Sequence, residues 1–330
     1  MNGTAPAAIR LQDVRKVYPD GTEAVRGLSL DVATGEVTVL VGPSGCGKST
    51  ILRMVNRLVE PTAGRIHLAG EDVTDVDPVA LRRRIGYVIQ HVGLFPHQTV
   101  RDNVATVPRL LGWPRARVER RVEELLDLVG LGPARFARRY PHELSGGQRQ
   151  RVGVARALAG DPVVLLMDEP FSAVDPIARN RLQDEFRRLQ RTVGKTVLFV
   201  THDVDEAVRL GDRIAVLSEG GLLEQYERPA VMLANPANEF VAEFLGSDRA
   251  IKRLGVTPIP PELEPVPGVV DGLPVVAASA TLRDALAALM DSGRDRVGVR
   301  GADGTLLGTL SLASILRSDP SRADPPSRRS

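Results

Sequence analysis

The residues best suited to chemistry lie in a glycine-rich run at positions 42–50. The run fits the spacing G-x-x-x-x-G-K-[ST], in which glycines let the chain curl so that successive backbone N–H groups point at one anion. The lysine can bridge outer phosphates, and the next hydroxyl can ligate magnesium. An apolar stretch precedes the run and helical spacing follows it, so the sequence predicts a nucleotide-phosphate site. The candidate residues are Gly42, Pro43, Ser44, Gly45, Cys46, Gly47, Lys48, Ser49 and Thr50.

Two adjacent acids form a second candidate group. Asp168 and Glu169 follow the apolar run 163–167, and ligands of open α/β sheets bind at the carboxyl ends of the strands. Phosphoryl transfer needs one carboxylate that holds the metal through water and usually a second that orients the attacking water. Alone, this segment is better explained as a strand ending at a polar turn; beside a phosphate loop, the catalytic interpretation is favoured.

A histidine and a second glycine turn complete the candidates. His202 follows the apolar run 197–200 and, in a parallel sheet, would share an edge with the acids, although a lone histidine is more often structural. The Ser-Gly-Gly turn before the helical stretch 149–158 exposes backbone N–H groups at a helix N-terminus and predicts another anion cradle. A single ATP does not need two cradles in one chain. The residues of this turn are Ser145, Gly146, Gly147 and Gln148.

The elements that must position these groups alternate between strand and helix. Five short apolar runs predict buried strands, at residues 36–41, 85–89, 163–167, 197–200 and 214–217. Helical stretches such as 48–58 and 177–193 lie between them. This alternation favours the α/β class with a mainly parallel sheet. From about residue 91 to residue 158 the strand signal gives way to helical spacing, which indicates an inserted helical subdomain.

The composition of the chain changes after residue 245. Five prolines between positions 258 and 267 interrupt both the helical and the strand periodicity. They predict a linker over residues 246–272. Residues 273–317 show a helix, two strands joined at 302–304 and a second helix, which is a small α+β domain. Residues 1–8 and 318–330 are expected to be disordered, since the tail carries hardly any apolar side chains.

Composition excludes several classes of protein. The 330 residues include 43 Lys and Arg against 41 Asp and Glu, so no cationic surplus is available for a polyanion and no nucleic-acid partner is expected. The single cysteine cannot form an internal disulfide, and no signal-like apolar stretch opens the chain, which predicts a reducing compartment. The longest apolar runs fall far short of the roughly 20 residues that cross a bilayer.

Together the motifs resemble those of the ATP-binding subunits of ABC transporters, over roughly residues 9–245. In that family the LSGGQ signature, here residues 144–148, lies between the phosphate loop and the acidic strand. The resemblance implies a P-loop ATPase fold, ATP and Mg²⁺ as cofactors, and two copies packed head to tail. ATP held by one copy would be closed over by Ser145 and Gly147 of the other.

The resemblance also assigns roles to single residues. Ser49 and Asp168 would hold Mg²⁺, Glu169 would be the base that polarises water, and His202 would be the switch histidine. Gln90 would sense the metal and the γ-phosphate and link the site to the membrane subunit.

Tyr18, Asp175 and Cys46 are three further candidates, and an alternative remains open for Tyr18 and Cys46. Tyr18 resembles the aromatic that stacks on adenine, although rim packing would also explain a tyrosine near a strand end. Asp175 lies in a segment similar to the D-loop, with Val174 where leucine is commoner. Cys46 could act as a redox brake within the phosphate loop, but any small side chain could fill that spacer position.

Longer stretches are similar to the quaternary-amine (glycine betaine, choline, carnitine) importers. They comprise residues 93–97, 107–113, 139–143 and 244–254. The resemblance implies transmembrane permease subunits as partners, an extracytoplasmic solute-binding protein as an indirect partner, and a place on the cytoplasmic face of the membrane. It also implies that the C-terminal extension is a CBS-like regulatory module. Only one such module fits, so pairing would occur between chains, and Ser314 stands where an acid often holds a ribose, which counts against adenosine binding.

Two other functions remain open on the sequence. An importer of another small solute, such as a polar amino acid or a phosphonate, would carry the same ATPase motifs. A soluble ABC ATPase acting on DNA or ribosomes is less favoured, because neither a long coiled-coil insertion nor a second cassette is present. Aromatic residues make up only 4% of the chain, which leaves little material for a quaternary-ammonium cage and assigns cargo recognition to a separate protein.

Overall fold

The structure is a computed structural model that describes residues 7–90, 92–172, 174–266 and 272–317. The chain divides into two compact units, Met1–Tyr226 and Glu227–Ser330. Each unit has a hydrophobic core of its own. Within the described ranges, no helix is both long and apolar enough to cross a membrane.

Two sheets frame the first unit. In chain order the strands are β1 (Ala7–Val17), β2 (Glu23–Ala33), β3 (Val37–Val41), β4 (Ala63–Leu68), β5 (Glu71–Asp72), β6 (Ile85–Val88), β7 (Val164–Asp168), β8 (Thr196–Val200), β9 (Arg213–Ser218) and β10 (Leu222–Glu227). One sheet has the order β2-β1-β4-β5 and is antiparallel, and the other has the order β10-β9-β3-β8-β7-β6. The antiparallel sheet was not predicted from the sequence.

The six-stranded sheet carries the candidate site at one edge. Its neighbours from β9 to β6 run parallel, and every residue of β3, β7 and β8 is buried. Strands buried on both faces read as continuous apolar runs, so the predicted α/β class with a mainly parallel sheet is confirmed. Because these strands are parallel, the segments that follow β3, β6, β7 and β8 all leave the same edge.

Helices cover the sheet and fill the interval between β6 and β7. They are α1 (Lys48–Val55), α2 (Pro78–Arg83), α3 (Val100–Leu110), α4 (Arg115–Leu128), α5 (Pro133–Phe136), α6 (Gly146–Leu158), α7 (Pro176–Val193) and α8 (Val204–Leu210). The described residues between β6 and β7 form helices α3 to α6 and no strand, in the interval where the helical subdomain was predicted. Residue 91, at its predicted start, lies outside the described residues.

The second unit joins three short helices to a small α/β module. Its elements are α9 (Pro229–Ala234), α10 (Glu239–Leu245), α11 (Arg249–Leu254), β11 (Val275–Ala277), α12 (Leu282–Ser292), β12 (Arg296–Arg300), β13 (Leu306–Ser311) and α13 (Leu312–Arg317). The sheet order is β11-β12-β13, with β11 parallel to β12 and β13 antiparallel to it. The predicted helix, two strands and helix are present, and β11 is an additional strand.

Three predicted boundaries differ from the structure. Residues 7 and 8 belong to β1 and are not disordered, since Ala8 is buried and accepts a hydrogen bond from Ala69 N. The predicted linker 246–272 contains α11, because Leu254 packs into the core of the second unit. That unit begins at Glu227 rather than after Leu245, because α9 contacts α11. The remaining disorder predictions, residues 1–6 and 318–330, and residues 267–271 of the predicted linker lie outside the described residues.

Candidate functional site

The phosphate-loop residues connect buried β3 to the start of α1. Gly47 caps α1 with φ 104°, and a Cβ there would lie 2.3 Å from the Ala24 carbonyl oxygen, so only glycine fits without rearrangement. Lys48 is 5% exposed, and its Nζ donates to the carbonyl oxygens of Gly42 and Pro43, each across 2.7 Å. The ammonium is therefore held inside the curl of the loop, where an outer phosphate could replace these carbonyl contacts.

The hydroxyl of Ser49 joins this loop to the acidic strand. Ser49 Oγ donates to Asp168 Oδ1 across 2.9 Å, and Asp168 is the last residue of β7 and is buried. Tyr87 lies beside the same carboxylate. Burial raises the pKa of Tyr87 to about 12, and the negative charge of Asp168 adds to the effect.

Glu169 contacts the other two catalytic candidates, Gln90 and His202. Its backbone is left-handed, with φ 43°, and its amide donates to the Val200 carbonyl oxygen across 3.0 Å, which fixes the turn after β7 to the end of β8. Gln90 Nε2 donates to Glu169 Oε2 across 3.4 Å. His202 Nδ1 lies 3.1 Å from Glu169 Oε1. The ends of β6, β7 and β8 thus bring together all three predicted catalytic residues.

The signature turn forms a helix cap at the surface. Ser145 Oγ accepts from Gln148 N, and Gln148 Oε1 accepts from Ser145 N across 2.9 Å, a reciprocal capping box for α6. Ser145 and Gly146 are exposed, and a Cβ on Gly147 would lie 3.3 Å from Leu182. In the described part of the chain, these residues make no hydrogen bond to the phosphate loop. The exposure of Ser145 and Gly146 leaves the start of this turn available to a second molecule.

The structure also describes three other predicted residues, Tyr18, Cys46 and Asp175. Tyr18 follows β1 and is half-buried, with Lys16 Nζ 5.2 Å above its ring. Among the described residues, it makes no hydrogen bond to the phosphate loop. Cys46 is 2% exposed and belongs to the core of the first unit. The Asp175 carbonyl oxygen accepts from Arg179 N, which leads the D-loop-like segment into α7.

The donor set suits Mg²⁺ bound together with phosphates. Among the described residues, no cluster of three histidine, cysteine or acidic side chains could hold a metal unaided. Mg²⁺ is commonly held by one or two protein oxygens plus substrate phosphates and water. Ser49 Oγ and the Asp168 carboxylate supply such oxygens, and the Gln90 side chain reaches the adjacent Glu169.

A second polar cluster, not predicted, lies in the C-terminal module. Glu264 accepts hydrogen bonds from Ser311 Oγ, across 2.7 Å, and from Ser314 Oγ, and it pairs with Arg296. These partners, Ser314 foremost, lower the pKa of Glu264 to about 2. Sequence patterns do not single out Glu264, because it lies among the prolines of the predicted linker 246–272.

The chain is similar to known proteins along most of its length. The family model described as ABC transporter matches residues 25–172. A glycine betaine/carnitine/choline transport ATP-binding protein of Bacillus subtilis is 48% identical over 308 residues, 93% of this chain and 79% of that protein. An osmoprotectant import ATP-binding protein of Salmonella typhimurium is 56% identical over 70% of this chain and 60% of its own length. A solved dimeric ATP-binding cassette in a post-hydrolysis state, bound to ADP and Pi, is 35% identical, with a TM-score of 0.58, over 67% of this chain and 98% of its own.

Proposed function

The chain belongs to the ATP-binding proteins of ABC transporters and is an ATPase, and we propose that it energises the import of quaternary-amine osmoprotectants. The ATPase assignment is supported by one arrangement of side chains. Gln90 and His202 both contact Glu169 beside the Ser49–Asp168 pair. Phosphoryl transfer is catalysed mainly by positioning and charge neutralisation, and this edge of the sheet supplies groups for both.

The first step of the proposed mechanism is nucleotide binding. The backbone N–H groups of residues 42–50 and the buried Lys48 ammonium would hold the phosphates, and Tyr18 would stack on adenine. Ser49, Asp168 and Gln90 would hold Mg²⁺, which when bound neutralises charge on the β- and γ-phosphates. The hydrogen bond between Ser49 and Asp168 supports this assignment, because both oxygens already face one point.

The hydrolytic step falls to the acid of the turn after β7. Glu169 would accept a proton from the attacking water and so polarise it. His202 and Gln90 each contact one of its two carboxylate oxygens, so they would orient Glu169 and respond to the γ-phosphate. The His202 side chain is 57% exposed, which leaves room for a ligand above it.

A second copy of the chain would complete the site. Ser145, Gly146, Gly147 and Gln148 form a turn whose leading residues face solvent, and the turn lies at the N-terminus of the 13-residue helix α6. Exposed N–H groups and the positive helix end favour a γ-phosphate. The proposed unit is therefore a head-to-tail dimer with two ATP molecules, each held by one copy and capped by the other, with Asp175 at the contact between copies.

The cargo assignment rests on the relatives. The Bacillus subtilis relative is named for glycine betaine, carnitine and choline transport, and it aligns over 93% of this chain. The Salmonella typhimurium relative is named for osmoprotectant import. Transmembrane permease subunits and an extracytoplasmic solute-binding protein would then be the partners, and the chain would lie on the cytoplasmic face of the membrane. An importer of another small solute, such as a polar amino acid or a phosphonate, is the alternative.

The C-terminal module is proposed to be a single CBS-like regulatory unit. Its polar cluster is already filled by Glu264, which takes hydrogen bonds from Ser311 and Ser314; this supports regulation without bound adenosine. Arg296→Ala, which breaks the pair with Glu264, should change how uptake depends on salt concentration. Identical dependence in the variant and the wild type would count against regulation by this module.

Uptake in cells tests the function directly. Cells lacking the chain should lose uptake of radiolabelled glycine betaine, choline or carnitine at high osmolarity while retaining uptake of a polar amino acid. The intact chain and Lys195→Ala, whose lysine pairs with Asp161, should restore uptake, and Lys48→Ala should not. Unchanged uptake of all three amines, with ATPase activity intact, would leave the ATPase standing and reject this cargo.

A further inference from the structure

A buried carboxyl lies one helical turn beyond the histidine of the site. Glu206 of α8 is 6% exposed, and Gln183 of α7 is 3% exposed. Gln183 Nε2 donates to Glu206 Oε1 across 2.9 Å. A buried polar pair is costly unless it is satisfied, yet apolar residues at both positions would also pack two helices together. The pair therefore invites a functional explanation.

The same carboxyl adjoins the turn that carries His202. Thr201, at the end of β8, is 2% exposed, and its Oγ1 accepts from Asp203 N across 3.0 Å. Burial raises the pKa of Glu206, while the nearby Thr201 and Gln183 side chains oppose the rise. The residues on either side of His202 are thus fixed to each other, and the Thr201 side chain hydrogen-bonds with Glu206.

Asp203 fixes the other side of the turn to the same two helices. Its Oδ1 accepts from Glu206 N across 3.2 Å and caps α8. Its Oδ2 lies 3.9 Å from Arg179 Nη1 of α7. Arg179 also donates to the carbonyl oxygens of Val174 and Asp175, just before α7. The turn around His202 is therefore tied to the segment that follows Glu169.

We propose that the Gln183–Glu206 hydrogen bond positions the Thr201–Asp203 turn so that His202 faces Glu169. Glu206 is a positioning residue, since it acts through Thr201 and the backbone rather than touching the nucleotide. The inference rests on the proposed roles of His202 and Glu169. The Gln183–Glu206 hydrogen bond itself is buried and is observed whatever roles His202 and Glu169 have.

The test compares ATP hydrolysis by variants of the full-length chain. Glu206→Ala removes the acceptor and should lower kcat about 10-fold with the KM for ATP within about 2-fold of wild type, as expected when a catalytic group is misplaced and binding is retained. Glu206→Gln keeps an oxygen that accepts from Gln183 and should restore kcat to within about 2-fold. Gln183→Met, which keeps the volume and removes the donor, should resemble Glu206→Ala and replaces it if that variant does not fold.

Asp184→Ala is the matched control for a purely structural role. Asp184 pairs with Arg209, across 2.8 Å, between the same two helices but at the surface. It should lower Tm without lowering the kcat of the folded protein. The inference is overturned if Glu206→Ala keeps the wild-type kcat, if Glu206→Gln loses as much as Glu206→Ala, or if Asp184→Ala loses as much kcat as Glu206→Ala.

His202→Ala separates this inference from the proposed function. If His202→Ala hydrolyses ATP at the wild-type rate, the proposed role of His202 is wrong and the positioning inference falls with it. If His202→Ala is impaired and Glu206→Ala is not, the role of His202 stands and only the positioning inference fails. Impairment of both, with rescue by Glu206→Gln, supports both.

Discussion

Ser49 Oγ and Asp168 Oδ1 lie 2.9 Å apart, although 119 residues separate them along the chain. The hydroxyl belongs to the first turn of α1 and the carboxylate to the last residue of β7. In this arrangement Ser49 would ligate Mg²⁺ and Asp168 would hold one of its waters. The parallel order of β3, β8 and β7 produces this juxtaposition, since all three strands end at one edge.

This contact predicts the magnesium dependence of hydrolysis. Ser49→Ala should raise the Mg²⁺ concentration that gives half-maximal ATPase activity by about 10-fold or more, because it removes one oxygen from the set that would hold the ion. The control is Ser29→Ala, whose hydroxyl accepts from Asp13 N in the antiparallel sheet. A magnesium titration checks both variants, and an unchanged midpoint for Ser49→Ala would reject the metal assignment.

The parts of the fold that the sequence predicts well are those with a single dominant period. The buried strands β3, β7 and β8 are rich in apolar side chains, and chemistry-bearing residues lie at or just after the end of each strand. The juxtaposition of Glu169 with His202 follows from parallel strand ends alone. Its details do not, because the positive φ of Glu169 and the long reach of Gln90 depend on the packed turn.

The antiparallel sheet escapes prediction because its alternation is broken. In β1 the pairing register shifts between Leu11 and Val14, and Asp13 has φ 48°, so the apolar side chains do not keep a period of two. Helix α11, with six residues, is too short to show helical periodicity. Glu206 and Glu264 were also missed, since their partners lie 23 and 50 residues away in the chain.

Glu169→Gln should trap the ATP-bound dimer. The amide cannot accept the proton of the attacking water, so hydrolysis should fall by at least about 100-fold while ATP binding persists. Sedimentation in ATP and Mg²⁺ should then show a stable dimer. Glu119→Gln, which alters an exposed acid paired with Arg115 on α4, should behave like the wild type. A Glu169→Gln chain that stays monomeric under these conditions would contradict the proposed cycle.

The thiol of Cys46 should react slowly in the folded chain. It is 2% exposed and lies 3.6 Å from Lys48 Nζ within the core, whereas redox-sensitive cysteines are partly exposed. Because it is the single cysteine, thiol titration with Ellman's reagent reports on it alone. The rate should be lower than in denaturant by on the order of 100-fold, since reaction requires local opening. Comparable rates in the two states would revive the redox-brake hypothesis.

Glu264 should make the stability of the C-terminal module depend on pH in a defined window. Its pKa is lowered from 4.5 to about 2 in the folded chain, chiefly by Ser314 and Ser311. A lowered pKa means that the carboxylate contributes stability fully above about pH 5 and loses it as pH falls from 4.5 towards 2. Backbone amide exchange of Thr309, whose N–H donates to the Glu264 carbonyl oxygen, reports on this contact.

Glu264→Gln should be less protected than wild type at pH 6, because an amide is a weaker acceptor for Arg296 and the two serines. The difference should shrink as pH falls towards 2, where the wild-type carboxylate becomes protonated. Glu262→Gln, which changes an exposed carboxylate two residues earlier, should follow the wild-type curve after correction for intrinsic exchange. Equal pH dependence of Thr309 protection in Glu264→Gln and wild type would show that the hydrogen-bonded carboxylate does not stabilise the module.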